Sequence, residues 1–463
     1  MRKFDQDPKV TSAYFIGIGG SGMAAIAYVA RRRGIRVGGS DLHKTTYMEA
    51  ILRDGVEVSF EQKADNIDAF KPQIVVVSTA IPRSNAEYAR ALELGLEIWP
   101  RAKMLGYLGR NDRVLAVSGT HGKTTTSAML ATSLVRLGAD PTFLIGGVVD
   151  GFDSSARVGN GKDYVVEADE SDGSFVYLDP DLAIITNIEA DHLDHYENIE
   201  QIEFAFSAFL AKLSACGIAI VCADNPALPR LAKESARAYL TYGLEDGCDL
   251  QCLPQSDGSF LARYRNDNMT SRLKLAKSPG VHNMLNACAV LLALDWLGID
   301  RAQAAQALSA YSGARRRFDK IGSVSGVDVV DDYGHHPTEI KATLAAARAL
   351  GYSHIHALFQ PHRYTRTQVF MEEFAAAFDD VDSVTLMNIY PAGEAPIEGV
   401  SSNVLFEHIQ GRPGGPFVRL IDDRGDIPFA MAEIAEAGDL IITQGAGDVS
   451  ALAPLILRAL EVQ

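Results

Sequence analysis

At roughly 100–200 residues per domain, a chain of 463 residues has room for two to four domains, three being the middle expectation. Hydrophobic residues make up 47% and charged residues 22%, which excludes disorder as the dominant state. A formal charge of −16 works against nucleic acid or anionic membrane as a general partner, so any anionic substrate must meet positive charge concentrated locally. The cysteines, Cys216, Cys222, Cys248, Cys252 and Cys288, are odd in number and show no CxxC spacing, which fits a reduced, cytoplasmic compartment. The opening MRKFDQDPKV lacks the apolar core of a signal peptide, and no run of about 18 apolar residues is present to span a membrane.

The first segment alternates short apolar strands with helices. Strands are expected at residues 13–16, 35–38 and 74–78, with a helix running from the first glycine turn to about Arg33. The turn Gly17-Ile18-Gly19-Gly20-Ser21-Gly22 matches G-x-G-x-x-G between a strand and a helix, and Asp41 follows 19 residues after Gly22. That spacing suits a ribose hydroxyl. Three readings stand open: a phosphate or diphosphate site without hydride chemistry, a dinucleotide site, or a glycine turn with no ligand. The pattern weakens near residues 99–110, where a boundary is expected.

In the second segment, a buried strand at 114–117 runs into Gly119-Thr120-His121-Gly122-Lys123-Thr124-Thr125, and a helix follows to about Leu137. Glycines let the backbone approach closely and aim N–H groups at phosphate oxygens, while a helix N-terminus adds partial positive charge. Lys123 is placed to hold β/γ oxygens and Thr124 to ligate Mg²⁺. The usual pattern has a further glycine where Val117 stands, so the loop reads as a shortened variant.

Next, a strand at 164–167 delivers Glu167-Ala168-Asp169-Glu170-Ser171-Asp172. Glu167 reads as a Mg²⁺ ligand beside the phosphate loop, and Asp169 and Asp172 as solvated acids. A strand at 182–186 is followed by Asn187-Ile188-Glu189-Ala190-Asp191-His192-Leu193-Asp194-His195, in which His192 is a candidate for a metal or the γ-phosphate. Further strands are expected at 218–222 and as hairpins over 249–276, then helices at 282–297 and 301–311.

The third segment repeats the alternation, with strands at 327–331, 354–359, 383–387, 418–421 and 439–442. Two strand ends carry Asp331-Asp332-Tyr333-Gly334-His335-His336-Pro337-Thr338-Glu339 and Gln360-Pro361-His362-Arg363-Tyr364-Thr365-Arg366. Arg363 suits a carboxylate, and histidines there suit the proton of an amine nucleophile. Thr338 is expected to help begin the following helix.

These segments, with HNMLNA at 282–287 and RRRF at 315–318, resemble the Mur ligases, ATP-dependent amide-forming enzymes of peptidoglycan assembly, and most nearly the alanine-adding branch. The resemblance implies an α/β fold of three domains in series. A Rossmann-like UDP-substrate domain would span 1–107, a P-loop ATPase domain 108–314, and a Rossmann-like amino-acid domain 315–463. It implies that Gly17, Gly19, Gly20, Ser21 and Gly22 hold the diphosphate of UDP-N-acetylmuramate, with Asp41, Ser78, Thr79 and Arg101. Gly119 through Thr125, Asn283, Arg316 and Asp332 would bind ATP. Thr124, Glu167 and His192 would hold Mg²⁺, and Tyr333, His335, His362 and Arg363 would receive L-alanine. Lys123, His192, His335 and Arg363 would be the catalytic set, in a monomer or homodimer. Three rivals remain at this point: a ligase attaching a tripeptide to the same sugar nucleotide, a nicotinamide-dependent oxidoreductase, and a non-catalytic nucleotide switch.

Overall fold

The structure, a computed structural model, describes residues 9–171, 173–191, 195–236 and 238–462. The first sheet contains β1 (Ser12–Ile16), β2 (Arg36–Ser40), β3 (Glu57–Ser59), β4 (Ile74–Val77) and β5 (Glu97–Pro100), all parallel in the order β3-β2-β1-β4-β5. Every residue of β1 is buried, as a strand covered on both faces requires. The winding reverses between β1 and β4, so the glycine turn after β1 opens at the switch point, where open α/β sheets take ligands.

A second sheet follows, built from β6 (Arg113–Ser118), β7 (Thr142–Val149), β8 (Ser154–Arg157), β9 (Asp163–Glu167), β10 (Leu182–Ile185), β11 (Ile218–Cys222), β12 (Tyr239–Gly243), β13 (Leu250–Pro254), β14 (Ser259–Tyr264) and β15 (Thr270–Lys274). Its order is β15-β14-β13-β12-β11-β10-β6-β9-β7-β8, which places β6 between β10 and β9. The third sheet holds β16 (Asp319–Val324), β17 (Val327–Asp332), β18 (Ile355–Phe359), β19 (Ser383–Leu386), β20 (Phe417–Leu420) and β21 (Leu440–Gln444) in the order β16-β17-β21-β18-β19-β20. Only β16 in it is antiparallel, and separate apolar clusters cover its two faces.

The chain divides into two compact units. One holds the first sheet and most of the second, in residues up to 253 with 261–272 and 285–308. The other holds the third sheet together with 254–260 and 273–284.

The structure differs from the sequence reading at several elements. Residues 99–110, where the pattern weakens, form regular structure: β5 ends at Pro100 and a helix, Arg101–Leu108, follows at once. That helix buries Ala102, Met104, Gly106, Tyr107 and Leu108, so it lacks the one-sided apolar period that reveals a surface helix. The strands β3, β7, β8, β12 and β16 were also not expected. Of these, β3, β8 and β16 are edge strands and β7 lies beside one, with polar or glycine residues such as Ser154-Ser155-Ala156-Arg157 in β8, whereas β12 is a short strand inside its sheet.

Candidate active site

In the first unit, the phosphate-type loop is shaped by two glycines. Gly119 leaves β6 with φ +130° and Gly122 precedes the helix Lys123–Arg136 with φ +80°, both in the region that favours glycine. The β6–β10 register pairs Ser118 with Ile185, so Thr186 and Asn187 arrive beside the loop. Asn187 accepts from the His121 N–H at 2.8 Å and donates to the His121 carbonyl at 3.1 Å. The Thr186 hydroxyl donates to that carbonyl at 2.5 Å, and Thr120 Oγ1 accepts from the Glu189 N–H at 2.9 Å. Much of the TNIE segment thus braces loop backbone. His192 and Asp194 lie outside the described residues, as does Asp172.

The β6–β9 register pairs Val117 with Glu167, which sets an acid at the loop's flank. Thr124 Oγ1 donates to Glu167 Oε2 at 2.9 Å, and that same oxygen accepts from the Gly146 N–H at 2.8 Å. A hydroxyl and a carboxylate at this separation are the hard oxygen donors Mg²⁺ takes. The Lys123 ammonium donates to Gly119 O at 2.7 Å, Thr120 O at 3.0 Å and Glu170 Oε1 at 2.8 Å. Burial pushes the Glu170 carboxyl up to about 7, with Lys123 opposing that rise. Sequence reasoning assigned Glu170 no role. Its buried contact with Lys123 follows from tertiary packing, and its only sequence signal is its place in the EADESD run. Asp169, expected to be a solvated acid, instead pairs with Arg101 at 3.0 Å.

The other glycine turn lies in the same unit. Gly17 has φ +78°, and the Gly17 and Ile18 N–H groups both donate to Ser40 O. Asp41 accepts the Gly19 N–H at 2.8 Å, so its carboxylate organises the turn. A Cβ on Gly19 would stand 2.2 Å from Met48 Cε, and one on Gly22 would stand 2.9 Å from Arg101 Nη1. The turn through Ser78 and Thr79, closed by Ile81 N–H to Ser78 O at 3.2 Å, brings Ile81 against Gly17. Ser21 opens the helix Ser21–Arg32, with Gly20 at its N-cap.

In the second unit, β17 ends in two acids with different partners. Asp332 accepts the N–H groups of Gly334 and Phe318, both at 2.9 Å, and burial raises its carboxyl pKa. Asp331, raised to about 6 by burial, accepts from Thr443 Oγ1 at 2.6 Å and lies 3.3 Å from Arg316 Nε. The Arg316 guanidinium also stands over the Tyr333 ring at 4.8 Å. Asn283 is buried and donates to Pro279 O at 2.9 Å.

The rings of His335 and His362 approach to 6.0 Å, so the two strand ends do converge. His362 stacks on Tyr390 with centroids 5.6 Å apart, and Arg363 pairs with Glu394 at 2.6 Å. His336 is buried against Phe370 and caps the helix Pro337–Arg348, accepting from the Thr338 N–H while Glu339 closes the box. The helix thus begins at Pro337, whose preset φ suits the first position, and Thr338 stands in its first turn, where its N–H is the one His336 caps.

Burial, then the charges of Arg366 and Arg363, push the His362 imidazole down to about 4. The unfolded value is near 6.5, so the folded state disfavours the proton. Stability tied to this group is full above that value and is lost as pH falls toward 4. A proton NMR titration should keep His362 neutral down to about pH 5, with a midpoint near 4. A midpoint at or above the ordinary value would contradict the buried setting.

Comparisons with known proteins cover all three sheets. The family model "Mur ligase family, catalytic domain" matches residues 12–113, "Mur ligase middle domain" matches 117–294, and "Mur ligase, glutamate ligase domain" matches 316–447. The UDP-N-acetylmuramate–L-alanine ligase of Geotalea daltonii is 41% identical over 95% of this chain and 96% of its own. That of Anaeromyxobacter dehalogenans is 40% identical over 97% of each. Among solved structures, the UDP-N-acetylmuramate–alanine ligase MurC of Thermotoga maritima superposes with a TM-score of 0.78 at 27% identity, over 96% of this chain and 98% of that one. The murein peptide ligase of Psychrobacter arcticus gives 0.71 at 26% identity, over 97% of this chain and 99% of that one.

Proposed function

Because the chain belongs to the Mur ligase family, with its α/β architecture of three domains in series, we propose that it joins L-alanine to the lactyl carboxylate of UDP-N-acetylmuramate at the expense of ATP, in the cytoplasm, as a step of peptidoglycan precursor synthesis. The single observation that most supports this is the loop 119–124, where a partly buried lysine, two glycines at positive φ and a threonine–glutamate oxygen pair converge. The domain limits 1–107, 108–314 and 315–463 belong to this proposal. No helix among the described residues is long and apolar enough to cross a membrane.

In this mechanism the carboxylate oxygen attacks the γ-phosphorus, ADP leaves, and an acyl phosphate forms. The alanine amine then attacks the acyl carbon, phosphate leaves, and the amine gives up its proton. A carboxylate is a poor electrophile, which is why ATP is consumed. Mg²⁺, which neutralises phosphate charge when bound, would be held by Thr124 and Glu167, with His192 proposed at a second ion. Lys123 and the backbone N–H groups of 119–125 would position the β/γ oxygens, with Asn283, Arg316 and Asp332 completing the nucleotide contacts. Gly17 through Gly22, Asp41, Ser78, Thr79 and Arg101 would hold the sugar nucleotide. Tyr333, His335, His362 and Arg363 would receive alanine, with His362 held neutral.

The test is phosphate release from ATP with Mg²⁺. Release that requires both UDP-N-acetylmuramate and L-alanine, with an amide product by mass, is expected. Release that requires a tripeptide in place of L-alanine would transfer the reading to the murein peptide ligase branch, to which the structure is also similar.

A further inference from the structure

The two glycine turns of the first unit are joined by an unbroken run of charge. Arg101, at the start of the helix Arg101–Leu108, directs Nη1 at Gly22: a Cβ there would come within 2.9 Å. Its other nitrogen, Nη2, lies 3.0 Å from Asp169 Oδ2. The next residue, Glu170, holds the Lys123 ammonium at 2.8 Å, and Lys123 in turn donates to Gly119 and Thr120 carbonyls. The strap is anchored: Asp169 Oδ1 accepts the Ser171 N–H at 3.1 Å, and the Tyr196 hydroxyl donates to the Glu170 carbonyl at 2.5 Å. Asp169 thus pairs with Arg101 while its neighbour Glu170 pairs with Lys123.

We propose that the Arg101–Asp169 ion pair couples the two glycine turns, so that a nucleoside diphosphate sugar on residues 17–22 changes the affinity of the loop 119–124 for ATP, with Asp169 as the positioning residue. This rests on the function proposed above. Arg101 and Lys123 each face a turn suited to an anion, and each is tied to one of two adjacent carboxylates. A phosphate that draws on Arg101 alters its hold on Asp169. Because Asp169 and Glu170 are consecutive, the change reaches the anchor of Lys123 over a single peptide unit. Coupling of this kind is reciprocal: each ligand must change the other's affinity by the same factor.

The experiment measures the Kd of a non-hydrolysable ATP analogue with and without UDP-N-acetylmuramate, and the reverse, using the whole protein with Mg²⁺. The wild-type ratio should be about fivefold or more, equal in both directions. In Asp169→Asn it should fall to within about twofold of unity, while both ligands still bind singly, and Asp169→Glu should restore part of it. A merely structural role would alter the single affinities or the unfolding midpoint and leave the ratio unchanged. Coupling retained in Asp169→Asn, or two ligands binding independently to the wild type, would overturn the proposal and leave the function standing. A wild type that binds no UDP-N-acetylmuramate would overturn both, and is told apart by the absence of any sugar-nucleotide isotherm.

Discussion

Lys123→Ala is expected to lower kcat for amide formation by at least about 10²–10³-fold, as loss of one preorganised charge at the reacting phosphate does elsewhere. The ammonium is held in place by Gly119 O, Thr120 O and Glu170 Oε1, a fixed positive charge that a mobile water does not supply. Burial works against the ammonium, and the carboxylates of Glu170, Asp169 and Glu167 outweigh it. A near-normal kcat in this variant would refute the assignment of the phosphate loop.

The same substitution has a second, separable consequence. It removes the ammonium that Glu170 Oε1 accepts from, and breaking a buried pair costs about 3–5 kcal/mol when the remaining charge cannot escape. Glu170 can escape by taking a proton, since its folded pKa of about 7 already lies above the ordinary carboxylate value. A raised folded pKa means the native state binds more protons than the unfolded one between the two values. Stability from this group is therefore complete below the unfolded pKa and is lost as pH rises through about 7. Without Lys123, which opposes the rise, the loss steepens. Thermal unfolding should find Lys123→Ala closer to wild type at pH 6 than at pH 8, and Lys123→Ala with Glu170→Gln should recover stability at pH 8 but not activity. A double variant as unstable as the single one would show that the Glu170 charge is not what destabilises it.

Features carried by short stretches of chain were legible in the sequence. The strand–glycine–helix runs at 12–32 and 113–136 are local, because positive φ at Gly17, Gly119 and Gly122 follows from glycine itself and the flanking periods mark the elements. The acid at the end of β9 was legible for the same reason, since a buried strand that stops at a carboxylate shows in the pattern. What escaped depends on strand order. That Thr186 and Asn187 brace the loop, and that Gly146 donates to Glu167, follows from β10 and β9 flanking β6 and β7 lying next to β9. No spacing in the sequence encodes those neighbours. Asp169 read as a solvated acid because its partner, Arg101, sits 68 residues away on a helix whose apolar period is hidden by burial. His336 read as one of three equivalent histidines, yet packing against Phe370 makes it a helix cap.

Gly119→Ala tests the loop through shape, with all its charges left in place. Gly119 has φ +130°, which an L side chain rarely adopts, so any Cβ there is strained by about 1–3 kcal/mol. The site is also closed: the added carbon would stand 2.1 Å from Thr186 Oγ1 and 3.0 Å from both Asn187 O and Thr186 N. Two of those three atoms are backbone on β10's continuation, so a side-chain rotation cannot relieve the contact. The Thr186 hydroxyl would have to move and give up its bond to the His121 carbonyl, which loosens the loop as well. Overpacking of this kind adds about 1–3 kcal/mol. The expected result is a clear fall in the unfolding midpoint together with loss of ATP-analogue binding, while UDP-N-acetylmuramate still binds at the turn 17–22, whose contacts to Ser40 and Asp41 are untouched. Gly138→Ala is the control: it too has positive φ, at +78°, but a Cβ there meets nothing within 4 Å, so it should carry the backbone strain and spare the nucleotide site. If both variants bound the ATP analogue equally well, the close approach of Gly119 to Thr186 would have no part in shaping the phosphate loop.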